Sequence, residues 1–226
     1  MGATVQSVER AFSILETFDE QHPARTAADI AEAAGLARPT TYRMLQTLRR
    51  LGYVRNINGR FEVTPRVLRL GAGYLGRESL AARAQPTLDA LSERLGEHIA
   101  IGVLDGDEVI TLAAANSPQS RFLAVAVQVG QRLPATRTSL GRVLLAYRTG
   151  TDDKDGRQVR ADGHVVTDGL LETGLRSMAV PVRDHTGEVV ASLSVAVNAV
   201  RVPISQLEQE FLPVLHEGAV AIGALI

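Results

Sequence analysis

The sequence contains no cysteine. That excludes disulfides, thiolate zinc sites and a cysteine nucleophile. No apolar run is long enough to span a bilayer, and the first residues lack the pattern of a signal peptide. A cytoplasmic protein without a membrane partner is therefore expected. Lysine is almost missing as well: Lys154 is the only one, and every other basic residue is arginine. A net charge of −1 argues against a uniformly basic nucleic-acid binder. Neither an internal repeat nor a low-complexity tract is present.

What is present supports a folded core. Of the 226 residues, 45% are hydrophobic. The charge is uneven along the chain. Residues 1–75 carry ten arginines against seven carboxylates, a surplus of +3, which leaves −4 for the remainder. A basic head on an acidic body suits a DNA-binding domain joined to a second domain.

The head reads as three helices. Ser7 is a plausible N-cap for a helix over 8–19, in which Val8, Ala11, Phe12, Leu15 and Phe18 recur at helical spacing. Thr26 caps a second helix, 27–34, which Gly35 ends. Pro39 opens a third helix running to Leu51, with Tyr42, Leu45 and Leu48 on its apolar side. Asn58-Gly59 then sits near a turn between two alternating segments, 53–56 and 60–63, a strong hairpin signal. Three helices closed by a hairpin make a winged helix-turn-helix.

A connecting helix follows from Thr64-Pro65 to about Ser79. Beyond it the pattern predicts a helix over 80–95 and strands at 99–104, 108–114 and 122–127. A helix over 140–147, strands at 177–183 and 189–196, and a helix from Ser205 complete the series. The fold class is α+β: a winged helix-turn-helix, then an antiparallel sheet flanked by helices. The expected boundaries are 1–64, 65–79 and 80–226.

Several ordered motifs resemble those of the IclR family of transcriptional regulators. They include Val5-Gln6-Ser7-Val8-Glu9-Arg10-Ala11, Ala28 to Leu36 followed by Pro39 to Leu45, and Leu51-Gly52-Tyr53-Val54. Leu133-Pro134, Thr138 to Ala146 and Glu172 to Val182 continue the resemblance. Leu104 to Val109 and Pro65 to Leu68 are most similar to the subgroup governing aromatic-acid breakdown through β-ketoadipate. The resemblance implies a GAF-like effector domain, double-stranded operator DNA as one partner and a second copy of the chain as another, in a dimer of dimers. There are two departures. Only 147–163 fills a stretch that is longer in the family, with a polar loop at 151–156, and Arg137 occupies the loop after Leu-Pro.

Arg38, Thr40, Thr41 and Arg43 start the third helix, where side chains reach base edges or phosphates. Arg60 near the wing tip and the helix start at Thr26 suit phosphate. For each arginine the alternative is a solvated surface charge. In the effector domain the resemblance places Leu133, Ser139, Leu140, Asp168, Ser177 and Ser194 at a pocket. Amides at the Ser139-Leu140 helix start can hold a carboxylate, and Arg176 or Arg137 can pair with an acidic group. The serines could equally satisfy local backbone. The expected effector is a small carboxylate, with no cofactor.

Three other signals are set aside. Gly71 to Gly76 spells a dinucleotide-binding pattern but follows a helical run rather than a strand. His22, His98, His164, His185 and His216 are scattered without ligand spacing and read as surface histidines, so no metal is expected. Ser139 has no nucleophile elbow and reads as a cap. The competing functions are a metabolite-binding enzyme with an appended helical domain and an architectural DNA-binding protein. No acid–base cluster supports the first, and the acidic C-terminal domain argues against the second.

Overall fold

The computed structural model describes residues 4–19, 21–74, 79–117, 129–148 and 153–226. The chain divides into two compact units, Met1–Tyr74 and Leu75–Ile226.

The first unit runs α1 (Gln6–Leu15), β1 (Ala24–Thr26), α2 (Ala27–Ala33), α3 (Arg38–Arg50), β2 (Val54–Ile57) and β3 (Arg60–Val63). Its core is Ile14, Ile30, Leu45, Leu48, Val54 and Phe61. Ser7 does not cap α1. The helix begins one residue earlier, after Val5, and ends by Leu15, where the Thr17 hydroxyl donates back to the Ile14 carbonyl at 2.8 Å. Thr26 does cap α2, in a reciprocal box with Asp29. The Asn58-Gly59 turn has positive φ at both residues, 51° and 83°, which only Asn and Gly adopt cheaply. Strand β1 was not expected. It pairs with β3 to make the order β1-β3-β2.

One helix face is corrected. Tyr42 is 54% exposed, and Thr41 is buried in its place, its hydroxyl donating to the Ala37 carbonyl. Thr41, Leu45 and Leu48 form the i, i+4, i+7 stripe that faces the core, and Tyr42 lies outside it. The connector is also less regular than one helix over 65–79. A 3-10 turn, Pro65–Val67, leads into the single-turn α4 (Leu68–Gly71).

The second unit contains α5 (Leu80–Leu95), β4 (His98–Asp105), β5 (Glu108–Ala115) and β6 (Arg132–Pro134). A 3-10 turn at Ala135–Arg137, α6 (Ser139–Tyr147), α7 (Lys154–Asp162) and β7 (Val165–Asp168) follow. Then come β8 (Leu175–Arg183), β9 (Val189–Asn198), α8 (Ile204–Gln206), a π-helical turn at Leu207–Phe211 and α9 (Leu212–Gly223). The strand expected at 122–127 lies outside the described residues. Among the described residues, six strands form one antiparallel sheet in the order β6-β5-β4-β9-β8-β7.

Strand alternation sends side chains to two different layers. Ile99, Ile101, Met178, Val180, Leu193 and Val195 pack under α5 and α9, with Leu88 and Leu215 among their neighbours. Ala100 and Ala179 face the other way, toward Leu140 and Val143 of α6 and Val159 of α7. Part of the expected polar loop at 151–156 is in fact the start of α7. Asp153 caps it, accepting from the Gly156 amide at 2.6 Å.

Candidate effector pocket and DNA-reading surface

In the first unit, Arg38 and Arg43 project from the exposed side of α3. Neither has an acidic partner among the described residues. Tyr42 stands between them and was missed as a surface candidate. Thr40 is half-buried. Thr41 is directed into the core and offers nothing to a ligand at the surface, which corrects its assignment. Thr26 is engaged on both sides: its hydroxyl accepts from the Asp29 amide at 3.2 Å, and its own amide donates to Asp29 Oδ2 at 3.1 Å. Those hydrogen bonds hold the Asp29 carboxyl below its ordinary range, against the opposing effect of desolvation. The free donors at the start of α2 are therefore the Ala27 and Ala28 amides rather than those of Thr26. Arg60 Nη2 donates to the Ala24 carbonyl at 2.8 Å and ties the hairpin to β1.

In the second unit, a small cavity of about 40 Å³, partly open to solvent, lies between the start of α6 and the sheet. Leu133, Arg137, Ser139, Leu140, Ser177 and Ser194 all line it. Asp168 and Arg176 do not. They face each other across the β7–β8 pair, one residue out of phase with Thr167 and Ser177, and so point to the opposite face. There Arg176 Nη2 bonds Asp168 Oδ2 at 2.6 Å, while Nη1 reaches the Val202 and Ala199 carbonyls at 2.6 and 3.2 Å. Arg176 is a clamp on the turn after β9. Its Nη1 and Nη2 are engaged within the chain, while Nε is buried without a partner among the described residues, and neither Arg176 nor Asp168 lines the pocket.

The start of α6 is built for close approach. Thr138, not Ser139, is the N-cap, accepting from the Gly141 amide at 3.0 Å. A Cβ on Gly141 would lie 2.3 Å from Ala135 Cα and from its carbonyl oxygen, so only glycine lets the helix sit against the 135–137 turn. The Ser139 and Leu140 amides, at the first two helical positions, have no intrahelical partner. The Ser139 hydroxyl lies 2.8 Å from that of Ser177, which lies 2.7 Å from that of Thr167. The Ser194 hydroxyl has no partner among the described residues and also lines the pocket. Arg137 holds the Leu170 carbonyl with Nε and Nη2, at 3.0 and 2.8 Å, which leaves Nη1 unengaged among the described residues.

His98 was set aside as a surface histidine, yet it is 1% exposed and lines this pocket. Nδ1 lies 2.5 Å from Asn116 Oδ1, and Nε2 is buried without a partner among the described residues. Burial pushes its pKa below the ordinary 6.5, with the Asn116 hydrogen bond opposing. Its register opposite Ala196 puts it on the same sheet face as Ala100, a placement that no local sequence signal gives. A wider cleft on this unit involves Tyr147, Arg183 and His216. There Arg183 stacks 4.8 Å from the Tyr147 ring centre and donates to the Gly187 carbonyl.

Comparison with known proteins now bears on this geometry. The IclR helix-turn-helix domain model matches residues 7–57, and the bacterial transcriptional regulator IclR C-terminal model matches 72–156 and 153–224. The chain belongs to the IclR family. The two C-terminal matches meet at 153–156, within the segment shortened between α6 and β7. The Pca regulon regulatory protein of Pseudomonas putida is 37% identical, covering 92% of this chain and 80% of that protein. A crystal structure of an IclR transcriptional regulator from Alicyclobacillus acidocaldarius matches with TM-score 0.80 at 25% identity, over 99% of both chains. An IclR homolog from Microbacterium hydrocarbonoxydans, complexed with 4-hydroxybenzoate, matches with TM-score 0.76 at 27% identity, over 96% of this chain and 97% of that one. The protein is an effector-responsive, DNA-binding transcriptional regulator rather than an enzyme. Among the described residues, no helix is long and apolar enough to cross a membrane.

Proposed function

We propose that the α6 pocket binds a small carboxylate, of the aromatic-acid or β-ketoadipate type, and that α3 reads double-stranded operator DNA through Arg38 and Arg43. One observation carries the ligand assignment. Ser139 and Leu140, whose amides have no intrahelical partner, and Arg137, whose Nη1 is unengaged among the described residues, line the same largely apolar pocket. Helix-start amides and a guanidinium together favour an anion, and apolar walls hold its hydrocarbon part. The Pca and 4-hydroxybenzoate associations of the relatives support the same class.

The functional division is a reading head over 1–64, a connector over 65–79 and an effector domain over 80–226, acting in the cytoplasm. Two chains associate through the exposed Leu68, Leu70 and Tyr74, which are 71%, 53% and 57% accessible in the single chain. A dimer places two heads on two half-sites, and pairs of dimers complete the assembly. A ligand that favours one arrangement of the heads shifts DNA affinity by that preference alone.

The test is calorimetric titration with benzoate, 4-hydroxybenzoate and β-ketoadipate, alongside binding to duplexes selected by the protein from a random pool. Carboxylate binding that changes DNA affinity is expected, and Ser139→Glu abolishes that response. Absence of binding by all three acids, or a normal response in Ser139→Glu, overturns the assignment.

A further inference from the structure

The cavity at the start of α6 is too small for an organic acid as it stands. About 40 Å³ is room for water, whereas pockets that take small organic molecules measure roughly 300 Å³ or more. Part of the lining must therefore yield before a carboxylate enters. Most of the wall cannot yield cheaply: Ala100, Ser139, Leu140, Thr167 and Ser194 are buried on strands or at the start of α6. The lining residues that are not buried fall in two segments. Leu133 and Arg137 lie on one, and Leu171, Leu175 and Ser177 on the other. These two segments form the rim.

The second segment includes the loop between β7 and β8, residues 169–174. Gly169 and Gly174 bound it with positive φ, 67° and 84°, and a Cβ at either would meet nothing within 4 Å. Glycine serves backbone conformation there rather than space, and it lets both ends rotate without a side-chain penalty. The base of the loop closes on itself. The Gly169 amide donates to the Leu175 carbonyl at 2.8 Å, and the Leu175 amide to the Glu172 carbonyl at 3.1 Å. Between those ties, among the described residues, the hydrogen bonds to Leu170 and Leu171 all come from Arg137. Nε and Nη2 hold the Leu170 carbonyl at 3.0 and 2.8 Å, and Nη2 reaches the Leu171 carbonyl at 3.3 Å. Arg137 thus spans the rim, from the turn before α6 to the loop. A guanidinium on neutral carbonyls has exchangeable partners. A carboxylate offers two oxygens and a full negative charge, and makes the stronger, bidentate pair.

We propose that Arg137 latches the 169–174 loop over the pocket, and that a ligand carboxylate takes the guanidinium from the Leu170 and Leu171 carbonyls, releasing the loop and drawing Leu171 out of the cavity. The release step rests on the carboxylate reading of the pocket; the latch itself does not. Arg137 is one of the two departures of this chain from the family pattern, so the latch belongs to this chain rather than to the family.

Because the sequence has no cysteine, a single introduced thiol reports opening cleanly. Ser194→Cys places one on the pocket wall, at a position 5% exposed. Its reaction with methyl methanethiosulfonate, a small neutral reagent, is followed in the full chain with Arg137 intact and with Arg137→Met, which keeps the bulk but donates no hydrogen bond. The reaction is expected to be roughly tenfold or more faster in Arg137→Met, since hydrogen bonds from a charged donor are worth at least that factor. Ser92→Cys, on α5 and 2% exposed, reports general unfolding and should react at the same slow rate in both backgrounds. Hydrogen exchange read by mass spectrometry follows the loop itself. The Leu175 amide should exchange roughly tenfold or more faster in Arg137→Met. It should also speed up in wild type once benzoate, 4-hydroxybenzoate or β-ketoadipate is bound by calorimetry. Equal Ser194→Cys rates in the two backgrounds, or equal acceleration at both cysteines, overturns the latch. A bound acid that leaves Leu175 exchange unchanged or slows it overturns the release step and leaves the carboxylate reading intact. Failure of all three acids to bind overturns that reading and the release step with it, while the thiol rates still decide the latch.

Discussion

The Ser139 and Ser177 hydroxyls meet at 2.8 Å and join the first residue of α6 to the face of β8. Thr167 extends the contact across β7. Three hydroxyls thus satisfy one another at the floor of the pocket, where each alone would be a buried polar group needing water or ligand. Ser177→Ala removes the middle member. The expected loss of stability is about 1–3 kcal/mol, because two hydroxyls lose a partner. Urea unfolding at an unchanged m-value measures it. A Ser139→Ala, Ser177→Ala double mutant should lose less than the sum of the singles, since both remove the same contact.

Arg176 and Asp168 yield the opposite separation between stability and binding. Arg176 anchors the 199–202 turn through two carbonyls, so Arg176→Ala is expected to destabilise the effector domain by about 1–3 kcal/mol. Asp168 is partly exposed, and Asp168→Asn should cost less. Neither change is expected to alter carboxylate affinity in molecules that remain folded, because both residues lie on the far side of the sheet from the pocket. Calorimetry on Asp168→Asn decides this: a large fall in affinity would return the pair to the ligand site.

The difference between those residues and Ser177 was legible in principle. Once Leu175 to Arg183 is read as a strand, period-two alternation separates Arg176 from Ser177, but motif position alone groups them together. The helix-turn-helix was legible because its signals are local: the Thr26 cap, Gly35, Pro39 and the Asn58-Gly59 turn each act within a few residues. Strand β1 was not, since three residues carry no periodicity and become a strand only by pairing with residues 60–62. His98 was missed for a related reason. Its burial depends on β9 and α6, far away in sequence, and nothing beside it marks the site. The sheet order likewise rests on long-range pairing that local patterns do not encode.

Burial of His98 also predicts how stability depends on acidity. Its folded pKa lies below the 6.5 of the unfolded chain, mainly through desolvation. Between the two values the unfolded state binds the extra proton. The contribution to stability is therefore fully present above about pH 6.5 and is lost as pH falls through the folded value. His216 is shifted in the same direction, by desolvation and by the neighbouring His164. Unfolding midpoints in urea should fall between pH 7.5 and pH 5. His98→Gln should flatten that slope without removing it, because His216 remains. A wild-type slope identical to that of His98→Gln would show that His98 stays protonatable when folded.

Recognition of DNA separates the two faces of α3. Arg38 and Arg43 lie on the exposed face without acidic partners among the described residues, so no ion pair seen there must be broken before they meet phosphate or guanine. Arg38→Ala or Arg43→Ala is expected to weaken operator binding by about 1–3 kcal/mol if the contact is bidentate to a base. A phosphate contact would instead weaken all duplexes alike and reduce the salt dependence of binding by about one counterion. Thr41 supplies the control. It is buried behind Leu45, so Thr41→Val should leave operator affinity nearly unchanged at fixed salt while changing stability only modestly. Tyr42→Ala should behave like the arginines, because its ring stands on the surface between them. Titrations of one labelled duplex at two salt concentrations compare all four variants. Unchanged affinity in both arginine variants, or a loss in Thr41→Val as large as theirs in a fully folded protein, would show that the reading face of α3 has been assigned to the wrong side.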